Sequence, residues 1–497
     1  MMVPPSHANG LSRPVAGMLT GLATVLLLAT IVIAAVHIDD RYRIDTASGA
    51  RVALARYFDE GTLYPALYDG ERYGGTRFMP LPLVAHGLAA KLTNEYLISG
   101  KALALLTTLG VLALALFLLR RARCPWPIAL VLVTLVLATE TGLNGTLSLR
   151  SDSLSLLLQL AALATVSGRG SRYQDVASGL LAAIAFVAEL SAIWAPLAIV
   201  VHLLMVDRRR AIRFLTVWVG AAAALTGIVG VMSEGRLFEN VFGLAGAGVE
   251  GPSALLAAPY RLLRLMTEEA LAAVVLLPFV IAGVVRDVRD RTPSLPSLSL
   301  VTCTLVLLVV LTDIGTGWNQ LIDLVVVEVL VVGRLAGRLR GAEVDLRNVL
   351  VGALVSAGAI GGAMTVIPAG QDALASLRDP SLYDPHPVGR TPGAILSEDP
   401  YVPVSAGSDP VVLDPFMLLR IGDRDPQTVA DLRERIEARE FALVLLTTEL
   451  EPPRQEWWRS YHFGIEITDA LARSYDSAGR SQGYFLYEPA DPEGAGP

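Results

Sequence analysis

The sequence predicts a polytopic α-helical membrane protein of about eleven transmembrane helices, N-terminus inside and C-terminus outside, carrying a small external C-terminal α/β domain. Three observations lead there. The 497 residues are 53% hydrophobic and only 18% charged, against roughly 25% charged in soluble domains, and mean hydropathy is +0.52. Apolar stretches near the length of a membrane span recur through the first three quarters of the chain. After residue 367 they stop, and Asp, Glu, Arg and Pro become frequent.

A span needs about twenty mostly apolar residues. Such stretches lie near 15–36, 98–119, 127–146, 153–167, 175–190, 192–206, 212–233, 270–285, 297–313, 318–334 and 349–367. The first is too long for the apolar region of a signal peptide, so it reads as a retained helix. Orientation follows from Arg in short loops, which marks the cytoplasmic side. Arg120, Arg121 and Arg123 follow the second span, Arg169 and Arg172 the fourth, and Arg208, Arg209, Arg210 and Arg213 the sixth. Arg286, Arg289 and Arg291 follow the eighth, and Arg334, Arg338, Arg340 and Arg347 the tenth. With eleven spans all these loops fall on one side. Residues 1–367 then form a membrane domain with a large first outer loop, 37–97, and residues 368–497 lie outside.

The external part reads as an α/β domain behind a Pro-rich linker near 379–403. Val411–Leu413, the run from Phe441 and the run from Gly483 read as strands. Pro426 opens a helix with Val429, Leu432 and Ile436 on one face.

Composition also excludes. No basic stripe interleaved with aromatics supports nucleic-acid binding. Cys124 and Cys303 lie in different segments with no metal-type neighbour, which gives neither a disulfide framework nor a zinc site. The histidines form no ligand spacing. A divalent cation on outer-loop carboxylates is conceivable, but no residue singles it out. No internal repeats argue for an inverted-repeat transporter.

The candidate chemistry sits in the first outer loop, which is too long and too polar for a mere connector. It holds Asp39, Asp40 and Asp45 just after the first span. Val52, Leu54, Ala55 and Phe58 share a helical face between Asp45 and Gly61, which predicts an amphipathic helix along the membrane surface, capped by Asp45 and ended by Gly61. The ordinary readings of these acids are a helix cap for Asp45 and a solvated interface for Asp39 and Asp40.

A long outer loop with an acid after span one, then Ala55-Arg56 and Gly61, then Tyr73, Arg77, Pro80 and Leu81 before span two, resembles the GT-C membrane glycosyltransferases. The pattern is similar to bacterial relatives of protein O-mannosyltransferases and aminoarabinose transferases. The run Leu149-Arg150-Ser151-Asp152-Ser153-Leu154 resembles an R-x-D-x-L pattern of that group, and Gly317-Trp-Asn-Gln-Leu-Ile-Asp a G-x-N-x-x-x-(D/E) pattern. The resemblance covers about 1–367. It implies transfer of a sugar from a polyprenyl-phosphate lipid to a glycan, lipid or protein acceptor on the external face of the inner membrane, with inversion and no organic cofactor.

By that resemblance Asp45 is the first choice for the base, with Asp40 and Asp39 as alternatives. A hydroxyl acceptor needs a carboxylate within hydrogen-bond reach, and the departing lipid phosphate needs cations. Arg77, Arg150, Tyr73, Arg261 and Arg264 are the donor-side candidates. Their structural alternatives are an interfacial arginine for Arg77 and the charged face of an outer amphipathic helix for Arg261 and Arg264. Asp152, Asn319 and Asp323 are further site candidates, with a helix cap or interhelical packing as alternatives; Glu140, Glu189 and Glu328 are further acids within spans. Two other functions stay open: a transporter or flippase of a lipid-linked substrate, and a non-catalytic assembly protein.

Overall fold

The computed structural model describes residues 11–150, 152–168, 171–249, 251–291, 293–339, 343–388, 393–450 and 462–491. Arg169, Arg340 and Ser151 of the motifs above lie outside the described residues.

Each expected span coincides with a helix or a pair of helices. In chain order these are α1 (Arg13–Val36), α2 (Thr46–Asp59), α3 (Pro80–Thr93), α4 (Tyr96–Arg121), α5 (Trp126–Thr134), α6 (Glu140–Leu147), α7 (Asp152–Val166), α8 (Arg172–Ala188), α9 (Trp194–Val206) and α10 (Arg208–Met232). Then follow α11 (Pro252–Glu269), α12 (Leu271–Val274), α13 (Leu277–Arg289), α14 (Leu295–Val310), α15 (Leu321–Arg338), α16 (Val344–Gly361) and α17 (Ile367–Arg378). α1, α4, α10 and the run Val344–Arg378 are each long and apolar enough to cross a membrane. The chain is a polytopic helical membrane protein.

The apolar stretch 127–146 is not one straight helix. α5 and α6 meet at 76°, because Thr139 leaves the helix and caps α6 through Gly142 N–H at 3.1 Å. The boundary expected at 367/368 falls inside a continuous helical run, since α16 passes through a π turn, Gly362–Val366, into α17.

The first outer loop folds into α2 and α3. Asp45 has extended backbone angles, φ −112° and ψ 174°, and caps α2, which ends before Gly61 at φ +90°. The expected surface-lying amphipathic helix is a correction. Ser48 to Ala55 and Tyr57 are all buried, so both faces of α2 are covered by protein. Ala50, Val52, Ala53 and Leu54 pack with Leu83 of α3, Leu97 of α4 and, from the far end of the chain, Tyr401, Val404 and Leu413.

The C-terminal part forms a four-stranded sheet of order β1-β2-β4-β3: β1 (Ala394–Ser397), β2 (Phe441–Leu446), β3 (Tyr475–Ser481) and β4 (Tyr484–Pro489). β1 runs parallel to β2, and β4 is antiparallel to both β2 and β3. Short helices α18 (Tyr401–Ser405), α19 (Pro415–Gly422), α20 (Pro426–Glu437) and α21 (Gly464–Ser474) complete the unit. The strands expected from Phe441 and Gly483 are present, as is the helix from Pro426. Two expectations are corrected. The supposed linker contains β1 and α18, whose Ile395, Leu396 and Val402 are core residues. Val411–Leu413 is outside the sheet and pairs instead with Tyr73 of the outer loop: Tyr73 N–H donates to Val411 O at 2.7 Å, and Leu413 N–H to Tyr73 O at 2.8 Å. Its Val411 and Val412 are buried in the core of the C-terminal unit together with Tyr73, and Leu413 is buried against α2.

Other contacts bind this unit to the membrane part. Arg41 donates to Asp384 O at 2.8 Å, to Tyr484 Oη at 2.7 Å and to Gln482 O at 3.0 Å. Gly49 of α2 lies so close to Asp399 that a Cβ there would sit 2.1 Å from its Oδ1.

Candidate active site

Three parts of the chain enclose one cleft of about 720 Å³. The outer loop contributes Asp45, Arg51 and Arg77. The ends of α7, α8 and α14 and the turn before α15 contribute Arg150, Asp152, Glu189, Asp313 and Asn319. The C-terminal unit contributes Glu398, Asp414, Phe416 and His462. A concave polar cleft shared between a helical bundle and a second unit is the usual setting of a small-ligand site.

Asp45 stands at the wall as the cap of α2. Its Oδ1 accepts from Ser48 N–H at 2.8 Å and Ser48 Oγ at 2.7 Å, and its Oδ2 pairs with Arg150. Its side chain remains 43% exposed, toward the cleft, while that of Arg150 is 11% exposed. Loss of surrounding water pushes the Asp45 carboxyl up; Arg150 and the two Ser48 donors pull it down further, leaving it below the ordinary carboxylate range. The group is held as an anion that still has access to a ligand. The Arg150 guanidinium also lies 4.8 Å from the Trp318 ring, which fixes it from the other side.

Arg51 sits one turn into α2, 7% exposed. It stacks on Phe78 at 4.1 Å, and its Nε and Nη1 have no hydrogen-bond partner among the described residues. Burial pushes its pKa down, yet a guanidinium stays charged in proteins. A buried cation with unused donors is costly unless an anion completes it. Arg77 reaches the same cleft, paired with Asp313 and donating to Gly315 O at 3.3 Å beside Phe416. Asp152 opens α7 at 4% exposure; its Oδ1 accepts from Asn319 Nδ2 at 2.7 Å, and its Oδ2 has no partner among the described residues.

The remaining sequence candidates go elsewhere. Asp40 is 8% exposed and is not part of the cleft lining. His37 Nδ1 lies 2.5 Å from its Oδ2, Tyr42 N–H donates to Oδ1 at 2.9 Å, and Lys101 Nζ donates to its backbone oxygen at 2.6 Å. Asp39 is exposed and likewise not part of the lining. Tyr73 is 1% exposed, stacked on Tyr68 within the C-terminal core, where a donor phosphate has no access. Arg261 donates to Leu311 O at 3.2 Å, and exposed Arg264 pairs with Glu268 at 2.8 Å; both sit on α11, outside the cleft lining. Asp323 accepts from Trp194 Nε1 at 2.7 Å, so it separates from Asn319 despite their spacing.

The sequence did not single out Arg51, Asp313, Glu398, Asp414 or His462, and marked Glu189 only as an acid within a span, with interhelical packing as the alternative. Glu189 accepts from Ser155 Oγ and Gln320 Nε2, both at 2.7 Å. Glu398 is buried, accepts from Thr447 N–H at 2.7 Å and lies 2.8 Å from His462 Nδ1. Asp414 caps α19 through Phe416 N–H at 2.9 Å, and burial raises its pKa. Only the acid within a span, Glu189, carried a signal in the sequence. Among the described residues no three His, Cys, Asp or Glu side chains gather as a metal-ligand set.

Among solved structures the chain is similar to ArnT from Cupriavidus metallidurans bound to undecaprenyl phosphate, with a TM-score of 0.61 and 13% identity over 96% of this chain and 99% of that one. It is equally similar to ArnT of the same organism in the apo state, with a TM-score of 0.60 and 12% identity over 94% and 98%. No protein-family model and no curated protein matches the sequence itself. At this identity the likeness is one of fold: the chain shares the fold of these ArnT structures over nearly its whole length.

Proposed function

We propose that this chain is a membrane glycosyltransferase that takes a sugar from a polyprenyl-phosphate lipid and passes it, with inversion, to an acceptor hydroxyl or amine in the cleft. The observation that carries this reading is one cleft holding both an accessible carboxylate kept ionised, Asp45, and a buried guanidinium with unused donors, Arg51. The similarity to a structure bound to undecaprenyl phosphate supports the donor class. Asp39 and Asp40 remain secondary candidates for the base; the buried contacts of Asp40 disfavour it.

In this reading the acceptor O–H or N–H lies against Asp45. Its heteroatom attacks the anomeric carbon as its proton passes to the Asp45 carboxylate. The bond from the anomeric carbon to the phosphate oxygen breaks, and its electron pair leaves with the lipid phosphate. That phosphate gains one negative charge, which Arg51 is placed to accept with charge-assisted hydrogen bonds, with Arg77 beside it. Arg150 keeps Asp45 ionised and oriented. The chain would span the membrane about eleven times, with Arg-rich loops inside. The cleft and the unit formed by residues 368–497 would face the outside of a cell inner membrane.

The test is turnover by the purified full chain in proteoliposomes, offered a panel of radiolabelled polyprenyl-phosphate hexoses and pentoses. Release of label from at least one lipid, accelerated by an added acceptor extract, supports the reading. Movement of intact labelled lipid across the bilayer, without cleavage of any donor, replaces it with a transporter.

A further inference from the structure

A second cavity lies at the other end of the same helices. The cleft described above takes the N-terminal end of α7, the C-terminal end of α14 and the turn before α15. The second cavity, of about 370 Å³, takes the C-terminal end of α7, the N-terminal turn of α14 and the C-terminal part of α15, together with the end of α4 and His202 of α9. Along α15 the first cleft reaches Gln320 and the second cavity Leu330 and Arg334, which at about 1.5 Å per residue sets the two about 15–21 Å apart.

The chemistry of the two linings is opposite. The first cleft carries several carboxylates. Among the described residues that line the second there are two arginines, Arg121 and Arg334, one histidine, three serines and no carboxylate; the rest are apolar. Arg121 is exposed at the mouth and leans on the last carbonyls of α7, including Ser167 O. Arg334 shares Asp287 at 3.4 Å, but that acid has a nearer cation in Arg338 at 2.5 Å and a hydroxyl donor in Ser297 at 2.7 Å. α14 begins here, capped by Ser294, so the positive end of its backbone dipole belongs to the cavity. Independently of that dipole, Ser299 is a lining residue, fully buried, and its Oγ has no partner among the described residues. An unused hydroxyl, two guanidinium groups and a helix N-terminus around one void ask for an anion with several acceptor oxygens. The leucines of α4, α7 and α15 that complete the wall suit an acyl or prenyl chain attached to it.

We infer that this cavity is a binding site for a phosphate group, carried by an anionic lipid of the leaflet opposite the active cleft or supplied as a free phosphate. It is several times larger than the ion itself, and basic pockets between transmembrane helices are the places where anionic headgroups settle. The inference stands apart from the proposed transfer reaction: it invokes none of the residues of the first cleft.

The test is native mass spectrometry of the full chain in detergent with titrated phosphatidylglycerol, cardiolipin, phosphatidylethanolamine or inorganic phosphate. The comparison is among wild type, Arg334→Gln, Arg121→Gln, Ser299→Ala and Arg208→Gln, an arginine outside the cavity. Binding of the anionic lipids over phosphatidylethanolamine, weakened about ten-fold by Arg334→Gln or Arg121→Gln and unchanged by Arg208→Gln, establishes a lipid headgroup site. Saturable binding of inorganic phosphate with the same pattern of loss, and no lipid preference, establishes the free-ion form. Arg121 is exposed, so its variant reports even if Arg334→Gln does not fold. Equal affinity of wild type, Arg121→Gln and Ser299→Ala for every probe overturns the inference.

Discussion

Arg150 and Asp45 form an ion pair at the mouth of the cleft, with Arg150 largely covered and Asp45 still open to a ligand. The arginine stands in the turn before α7 and the aspartate at the start of α2, so the pair joins the outer loop to the bundle. Because Asp45 is held below the ordinary carboxylate range, it stays ionised through neutral and mildly acidic pH. Its charge is lost only as pH falls through that depressed value. The rate of Asp45-dependent transfer is therefore expected to be flat from pH 8 to pH 5. Arg150→Gln removes the main attraction and leaves burial, which raises the pKa, so its acid limb is expected to move up into that window. A pH–rate profile of the two proteins checks this.

Arg51 makes a different prediction. Its buried guanidinium has unused donors, so its charge costs stability that only an anion offsets. Arg51→Met keeps the bulk and removes the charge. The variant is expected to melt higher than wild type in detergent while turnover falls about a hundred-fold, the usual loss for a donor to transition-state charge. The wild type, but not the variant, is expected to gain thermal stability when undecaprenyl phosphate is added.

Gly49 is the point where the C-terminal unit meets α2. A Cβ there would lie 2.1 Å from Asp399 Oδ1 and 2.8 Å from Tyr401 N. Gly49→Ala is expected to lower Tm, at a cost of about 1–3 kcal/mol, and to speed cleavage of the 384–405 segment in limited proteolysis. Gly61→Ala meets no atom within 4 Å; its cost comes only from the positive φ, and the proteolysis pattern is expected to stay that of the wild type.

Asp399 titrates within reach of experiment. Burial raises its pKa to about 6, against the opposing pull of the Tyr484 hydroxyl and Tyr401 N–H. A folded value above the unfolded one means that the folded chain holds a proton which the unfolded chain has lost. Its contribution to stability is full below about pH 4, falls as pH rises toward 6 and is flat above that. The change is on the order of 3 kcal/mol. Asp399→Asn is expected to remove this slope in a series of melts from pH 4 to pH 7.5, and to melt higher than wild type at the upper end.

The helical segments were legible because apolar length is a local property, and each expected stretch lies on a helix. What local pattern left out is where the chain breaks or is covered. Thr139 interrupts the stretch 127–146 by capping α6. The helix α2, expected along the membrane surface, packs instead in a core that includes Tyr401, Val404 and Leu413, more than 300 residues away. The site divides in the same way. Asp45, Arg77, Arg150, Asp152 and Asn319 sit in motifs and all line the cleft. Arg51 has the spacing of an ordinary polar helix position, and only its burial in the fold, against Phe78, distinguishes it. Glu398, Asp414 and His462 carry no spacing signal, because the parallel pairing of β1 with β2 and the packing on Gly49 bring them in. Tyr73 matched a motif, yet Val411 and Leu413 take its backbone and the C-terminal core takes its ring.

The most direct test of the account compares release of labelled sugar from the best polyprenyl-phosphate donor by wild type, Asp45→Asn and Asp40→Asn, each shown to be folded and to bind undecaprenyl phosphate. The account predicts that Asp45→Asn lowers turnover by about 10²–10⁴-fold, the range for loss of a general base, with lipid binding retained. It predicts that Asp40→Asn lowers thermal stability, through His37 and Lys101, more than it lowers turnover per folded molecule. Full turnover by Asp45→Asn, or its selective loss in a folded Asp40→Asn, would contradict it.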